Sequence, residues 1–355
     1  MGETMDHIRA LHPRHGPHRP HVGTPARRPG SIRRTTTHTS LRPSGLLGDV
    51  QLEAAGRDLW TGADGVPSVV AEAGMEATVA FGPNRALTAI RTDPPAGPAL
   101  DSLVGARVSS GFRKALDRAL PDEDRARSLR YQLLDELPTA VLVSGFALAA
   151  ADVHPPRGTF DLRHNADICA GWATGATILV EGEALGHVPQ VTGPVAPPLF
   201  DPADTTDPSR PSDPAAWHPV GPIGPHGMRR WRRIDVWRPE GTDGVAVEAF
   251  FRDSHVDAAG LETVVHEYLV TAELVPRTHV FRSCRADVGV LPWTECPGAL
   301  ASAGRLEGTT PDDLRSRIRE AFTGTSTCTH LNDTLRALAA LPFMAGLVEA
   351  GGPVG

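Results

Sequence analysis

The sequence is poor in lysine and cysteine, and it has no long run of hydrophobic residues. Of its 35 Lys and Arg residues only Lys114 is a lysine, which, with abundant Ala, Gly and Pro, indicates a compositional bias. Four cysteines in 355 residues are too few for a disulfide framework. The longest uncharged apolar run, residues 139–151, is too short to cross a bilayer. These scarcities predict a reduced, cytoplasmic protein with no membrane partner.

The balance of charge limits the partners further. The net charge is -7, which does not suit a protein that neutralises a phosphate backbone. Residues 228–238 interleave Arg with Trp, a pattern that can follow nucleic acid, but the acidic total favours an edge strand with solvated arginines. Arg230, Trp231 and Arg232 are candidates to bind the carboxylate or phosphate of a small ligand. We therefore expect a small-molecule substrate and no nucleic acid.

Patterns of strands, helices and loops divide the chain into five segments. Residues 1–30 are rich in Pro, Arg and His without periodicity, which predicts a disordered tail. Residues 31–150 and residues 228–346 each show strand patterns followed by helix patterns, so each is predicted as an α+β unit. Residues 151–227 form a Pro-rich connector, predicted as an extended strap, and residues 347–355 form a second tail.

The two α+β units repeat each other. Asp58 and Asp253 are 195 residues apart (253 − 58), and this spacing relates seven identical residues in a window of 21. In the first unit these residues are Arg57, Asp58, Gly65, Val69, Val70, Glu72 and Ala77. The sequence therefore predicts a tandem duplication of one unit made of an antiparallel sheet and helices.

Four side chains of the second unit offer metal-binding or nucleophilic chemistry that the first unit lacks. They are His266, Cys296, Cys328 and His330, and the repeat aligns them with Ala71, Ala96, Arg130 and Gln132. This contrast predicts that the second unit carries the chemistry and that the first is a structural partner.

The local sequence suggests how these four residues are held. Cys296 precedes Pro297 and is predicted as a helix N-cap, and Cys328 and His330 are predicted at the first and third positions of the last helix. A helix N-terminus favours an anion, so both thiols are expected to have a lowered pKa. His266 is predicted to open a strand. Two imidazoles and two sulfurs would complete a tetrahedral zinc or iron site.

Further residues are candidates for supporting roles. Asp253, Glu267 and His330 are candidate general bases, with His330 alternatively the fourth metal ligand. Asp253 has Asp58 as its counterpart, which favours a structural role as well. Cys169, in the connector, is a candidate substrate contact.

The motifs PWTECPGALASAGRLEG and GTSTCTHLNDTLRAL, with VVHEY upstream, resemble a bacterial family of domains of unknown function, number 2889. The resemblance covers the second unit and implies no activity. More distantly, antiparallel strands followed by a Cys-bearing loop, a helix and a second Cys at a helix start resemble the NifU/SufE sulfur-handling scaffold. In that scaffold three cysteines and one further ligand converge, and His266 would stand in place of the first cysteine.

Three functional hypotheses follow. The first is a metal-dependent hydrolase or lyase that acts on a small carbonyl or carboxylate compound, with zinc or iron on the four residues. The second is a scaffold that carries an iron–sulfur cluster or a persulfide. The third is a metal-free enzyme with Cys328 as nucleophile and His330 or His266 as base. It ranks last because Cys328 and His330, two residues apart at a helix start, are expected not to touch.

Overall fold

One eight-stranded antiparallel sheet runs through both halves of the chain. The computed structural model describes residues 11–154, 161–200 and 213–353. The strands are β1 (Ser31–Leu41), β2 (Val50–Thr61), β3 (Pro67–Val79), β4 (Leu87–Asp93), β5 (Met228–Trp237), β6 (Val245–Val256), β7 (Glu262–Leu274) and β8 (Phe281–Val290). Their order is β4-β3-β2-β1-β5-β6-β7-β8, so β1 and β5 join two four-stranded meanders. This architecture confirms the predicted α+β class.

Helices cover one face of this sheet. They are α1 (Phe112–Ala119), α2 (Leu129–Val143), α3 (Phe146–Ala150), α4 (Thr177–Leu185), α5 (Leu314–Ala321), α6 (Thr329–Ala337) and α7 (Leu341–Ala350). Short 3-10 helices span Pro98–Leu103, Leu162–Asn165, Ala170–Trp172, Cys296–Leu306 and Leu338–Ala340. Helix α2 packs on β1, β2 and β3, whereas α6 packs on β6 and β7, and α7 on β1 and β5. Helix α7 continues four residues beyond 346, the predicted end of the second unit.

The helical stretch Leu129–Ala150 is apolar because it forms the core of the first half. By length and hydropathy alone it could cross a membrane, but 61% of its most apolar window is buried inside the structure. Leu133, Leu134 and Leu137 have no exposed surface. Such burial is typical of a helix in the core of a folded domain.

Equivalent strand pairs in the two halves have the same register. Arg34 on β1 lies opposite Asp58 on β2, and Arg230 on β5 lies opposite Asp253 on β6. The ladder between the second and third strands of each half then shifts, directly after Asp58 in one and directly after Asp253 in the other. Corresponding side chains therefore occupy corresponding places on the helix-covered face.

The prediction that residues 228–238 form an edge strand with solvated arginines is wrong. Strand β5 lies in the middle of the sheet, where Arg230 and Arg232 are 3% and 1% exposed. Arg230 donates two hydrogen bonds of 2.9 Å to Asp253, and Arg232 donates two, of 3.0 and 3.2 Å, to Glu136. Paired carboxylates reduce the cost of burying each guanidinium. The sequence pattern misses this because the partners come from other elements.

Residues 11–30 pack against the rest of the fold, which corrects the disorder predicted for this part of the chain. The backbone N–H of Leu291 donates to the carbonyl of Pro17 at 2.9 Å, and that of Arg19 donates to Gly289 at 2.8 Å. His18 forms a β-bridge with Val290, so the segment covers the free edge of β8. Composition predicts disorder because it does not report hydrogen bonds to a distant strand edge. Residues 1–10 lie outside the described residues.

The last part of the connector, residues 213–227, crosses the sheet face that the helices leave open. Trp217 packs edge-on against Trp231 of β5, with ring centroids 5.1 Å apart. His218 lies between the hydroxyls of Thr35 and Thr37, 2.9 Å from each. The connector therefore belongs to the folded core.

The buried imidazole of His218 is expected to make the fold acid-sensitive. Burial lowers its pKa to about 3, so between pH 3 and the unfolded value of 6.5 the folded state binds fewer protons than the unfolded state. The free energy of unfolding therefore falls as the pH is lowered below 6.5. The loss caused by His218 reaches about 2 kcal/mol at about pH 5. Urea unfolding at about pH 7.5 and about pH 5 should show a smaller loss in His218→Asn than in the parent. An equal loss in both proteins would contradict the assignment.

Candidate metal centre

Three donor side chains meet on the helix-covered face of the second half. Asp253 on β6 lies directly opposite His266 on β7, and His330 is the second residue of α6. Oδ2 of Asp253 is 3.8 Å from Nδ1 of His266 and 4.0 Å from Nε2 of His330. One donor atom from each residue lies within 4.8 Å of the other two. Strand β7 begins at Glu262, so His266 lies inside the strand and not at its start.

These distances are close to those of a coordination sphere. Two donors on a tetrahedral zinc ion lie about 3.3 Å apart, so the two distances to Asp253 need to shorten by about 0.5 and 0.7 Å, and the separation of the two imidazole donors by at most about 1.5 Å. Nδ1 of His266 is buried without a hydrogen-bond partner among the described residues. A buried unpaired polar atom costs about 1–3 kcal/mol, and ligation would remove that cost. Asp253 keeps a lone pair on Oδ2 beyond the one that Arg230 uses.

The two imidazoles are neutral and stacked. Their ring centroids are 3.6 Å apart with 20° between the planes. Burial lowers the pKa of His330 to about 3 and that of His266 well below its usual value. A neutral imidazole is the form that binds a metal ion. The side chains of His266 and His330 are 14% and 17% exposed and that of Asp253 is 1% exposed, so the histidines form the open side of the centre.

The two predicted sulfur ligands lie outside this donor group. Cys328 is the N-cap of α6, one position earlier than predicted, and its Sγ is 3.8 Å from Nδ1 of His330. That nitrogen is on the opposite side of the ring from the one that faces Asp253. Cys296 is the first residue of its 3-10 helix, whose N-cap is Glu295. Within residues 11–154, 161–200 and 213–353, neither sulfur belongs to the mutually close donors.

The predicted lowering of the thiol pKa values is wrong. Burial raises the pKa of both Cys296 and Cys328, which are only 8% and 6% exposed. The Tyr268 hydroxyl and the backbone N–H groups of Leu331 and His330 lower the pKa of Cys328, but desolvation is the larger effect. The helix N-terminus therefore does not produce a thiolate here.

Two other predicted site residues lie on the opposite face of the sheet. Glu267 accepts a 2.6 Å hydrogen bond from Arg252 and lies 2.6 Å from Nδ1 of His21. Trp231 packs against Trp217 on that same face. Adjacent residues of a strand point to opposite faces, so Glu267 points away from the face of its neighbour His266. Its contacts make Glu267 a structural anion that fixes the amino-terminal segment.

Tyr268 is a residue beside the site that was not predicted from the sequence. It follows His266 by two residues and so shares its face of β7. It has no exposed surface, and burial together with the nearby Cys328, Cys296 and Cys169 raises its pKa. Its buried hydroxyl faces the thiol of Cys328. The alternation from His266 was the signal that could have identified it.

Cys169 lies near Tyr268 together with Cys296 and Cys328. Among the described residues it does not belong to the close metal donors. It caps the 3-10 helix Ala170–Trp172. The backbone N–H of Ala170 donates to the carbonyl of Thr327 at 2.9 Å, which holds the connector against the start of α6. Burial raises the pKa of Cys169 to about 11. The connector therefore packs against the start of α6, the helix that carries His330.

Comparisons with known proteins agree with the sequence motifs. No curated protein and no solved structure matches the chain. A family model does match a segment of the second half, and this segment contains all three donor residues, together with Cys296 and Cys328. Residues 228–343 match the family described as "Protein of unknown function (DUF2889)", which confirms the resemblance of the second half to that family.

Proposed function

We propose that the protein is a metal-dependent enzyme of hydrolase or lyase type that acts on a small carbonyl or carboxylate compound. The proposal rests on the mutual proximity of His266, His330 and Asp253. Two histidines and one carboxylate hold zinc in hydrolases and iron(II) in other enzymes. Three protein ligands leave a position for water or substrate. Zinc or iron is therefore the expected metal.

The surrounding residues have roles that suit such a centre. A bound metal would polarise a carbonyl group or lower the pKa of a water molecule. Arg230 fixes the Asp253 carboxylate with two hydrogen bonds. Cys328 lies against the nitrogen of His330 that faces away from Asp253, where an outer partner can hold the ring in its liganding orientation. In this proposal the carboxylate replaces the sulfurs as ligand.

We also infer that the two halves arose by tandem duplication. The matching registers and the matching ladder shifts support this inference. In the first half Ala71 lies opposite Asp58, where the second half has His266. Ser128 caps α2 as Cys328 caps α6, so the helix starts favour Ser128 and not Arg130 as the counterpart of Cys328. The first half thus lacks two of the three donor groups.

Metal content tests the proposal. Protein purified in the presence of zinc and iron should retain about one equivalent of one of them after dialysis, as expected for a three-ligand site. His266→Ala should retain almost none. Cys296→Ser should retain the metal of the parent, whereas a centre built on sulfur would lose it. Retention below about a tenth of an equivalent by the parent would reject the proposal.

A metal-free thiol enzyme is the second candidate. Cys328, His330 and Asp253 lie in the order thiol, imidazole and carboxylate, with separations of 3.8 and 4.0 Å. The expectation that Cys328 and His330 do not touch is wrong, because the extended backbone of the N-cap directs the sulfur towards the first turn. The raised pKa of Cys328 places this candidate second.

Thiol labelling separates the two candidates. With all four cysteines buried, iodoacetamide should modify the folded protein at least about a hundred times more slowly than the urea-unfolded protein, in which the thiols are free. Rapid stoichiometric labelling of Cys328 in the folded protein would favour the thiol enzyme over the metal enzyme.

The iron–sulfur or persulfide scaffold, with its NifU/SufE-like topology, is supported only by the grouping of Cys169, Cys296 and Cys328 around Tyr268. It ranks below the other two because the sulfur atoms do not join the close donors among the described residues. A colourless protein after anaerobic purification would reject the cluster, and an intact mass without added sulfur would reject the persulfide.

A further inference from the structure

A cationic cleft lies between the helices of the two halves. Its cavity has a volume of 560 Å³, and α1 and α2 form one wall while α5 and α6 form the other. Its walls contain five cationic side chains and one carboxylate. These are Arg85, Arg113, Lys114, Arg319, Arg336 and Asp333. The cleft therefore has a strong excess of positive charge.

Part of this charge has no compensating carboxylate. Arg336 is bound to Asp135 at 2.7 Å, and Arg113 lies 3.4 Å from Asp135 and 3.5 Å from Asp333, so both charges are already paired. In contrast, neither Arg85 nor Lys114 forms an ion pair within the described parts of the chain, and Arg319 contacts only its exposed neighbour Glu320. Uncompensated cations in a concave site attract anions.

Lys114 is also an exception in the composition. It is the single lysine among 35 cationic residues. An ammonium group is a compact, freely rotating charge, whereas a guanidinium is a planar fork. The one position with an ammonium group thus lines a cavity that both halves form.

The floor of the cleft adjoins the candidate metal centre. Thr329 lines the cleft, and its hydroxyl is 3.4 Å from Nδ1 of His330. Asp333 also lines it, and its Oδ2 accepts a 3.2 Å hydrogen bond from Arg230, the residue that holds Asp253. The lining of the cleft is thus joined to the metal centre through α6 and through Arg230.

We propose that this cleft binds the anionic group of the substrate, a carboxylate or a phosphate, through Lys114 and Arg85. This inference rests on the proposed function, and it adds the substrate class. It also gives the first half a direct part in the site, because both cations come from that half. The site is incomplete without them.

The single lysine makes the proposal measurable. Inorganic phosphate or succinate, compared with sodium chloride at equal ionic strength, should slow acetylation of Lys114, measured by mass spectrometry, at least about fivefold. Either anion should also raise the unfolding temperature of the parent. Protection by phosphate alone or succinate alone identifies which group the cleft prefers, and each supports the proposal. Protection by neither, or equal protection by chloride, overturns it.

Matched variants complete the test. Lys114→Ala should lose the stabilisation by the anion, whereas Arg118→Ala, one turn later on α1, exposed and outside the cleft, should keep it. Equal responses of the two variants overturn the proposal. His266→Ala should lose metal and keep the anion effect. Failure of anion binding is thereby distinguished from failure of metal binding.

Discussion

Asp253→Asn is expected to abolish metal retention, whereas Asp58→Asn is expected to leave it unchanged. Both aspartates are buried and each accepts two hydrogen bonds from one buried arginine, Arg230 or Arg34. Asp58→Asn leaves Arg34 without a carboxylate partner and should lose about 3–5 kcal/mol of folding free energy. Asp253→Asn should lose less, because Arg230 keeps its 3.2 Å hydrogen bond to Asp333. Only Asp253 has histidines beside it. Its loss should lower metal affinity by at least about a hundredfold, more than typical effects of outer-sphere residues.

The comparison separates a metal ligand from a structural anion. Urea unfolding measures the stability of each variant, and metal titration of the folded protein measures affinity. A loss of stability in both variants, with a loss of metal affinity in Asp253→Asn alone, is expected. If Asp58→Asn loses the metal as well, then the loss reflects the fold and the ligand assignment of Asp253 is wrong.

Gly193→Ala is expected to detach the connector from the start of β7. A Cβ at this position would lie 1.7 Å from the carbonyl oxygen of Val264, and backbone cannot yield as a flexible side chain does. The connector must move away, which breaks the 2.9 Å hydrogen bond from the Val264 N–H to Pro194 and the bridge between Val195 and Thr263. Lost hydrogen bonds and overpacking together should cost about 3 kcal/mol.

Gly221→Ala is the control, since nothing lies within 4 Å of its added Cβ and it belongs to the same connector. Stability measured by urea unfolding should fall in the first variant and stay within about 0.5 kcal/mol of the parent in the second. Limited proteolysis should cleave near residues 190–200 faster only in Gly193→Ala. Equal stability of the two variants would show that the contact with Val264 is not needed.

The sequence was most informative where the chemistry is local. Alternation and turn residues predicted the strands of both halves, and the repeat pointed to His266 and His330, which the structure brings into contact. The sequence could not show that Asp253 and not a sulfur lies beside both imidazoles, because the side of the His330 ring that faces Asp253 depends on how α6 approaches the sheet. No local pattern contains that information.

Buried charge was the main source of error. Alternating arginines on β5 look the same in sequence whether water or carboxylates surround them. Their partners, Asp253 and Glu136, lie on a neighbouring strand and on a helix of the other half. The pKa of Cys328 was mispredicted for a related reason, because burial by the connector depends on tertiary contacts of Cys169 and Ala170.

The pairing of β1 with β5 has a consequence for synthesis of the chain. Ile32 lies opposite Val236, so the middle of the sheet joins segments made early and late. Until β5 emerges from the ribosome, β1 has an open edge and Arg33 lacks Asp235, its 2.6 Å partner. Such high contact order slows folding, and an open edge promotes aggregation. We therefore expect the nascent first half to need protection by chaperones until translation passes β5.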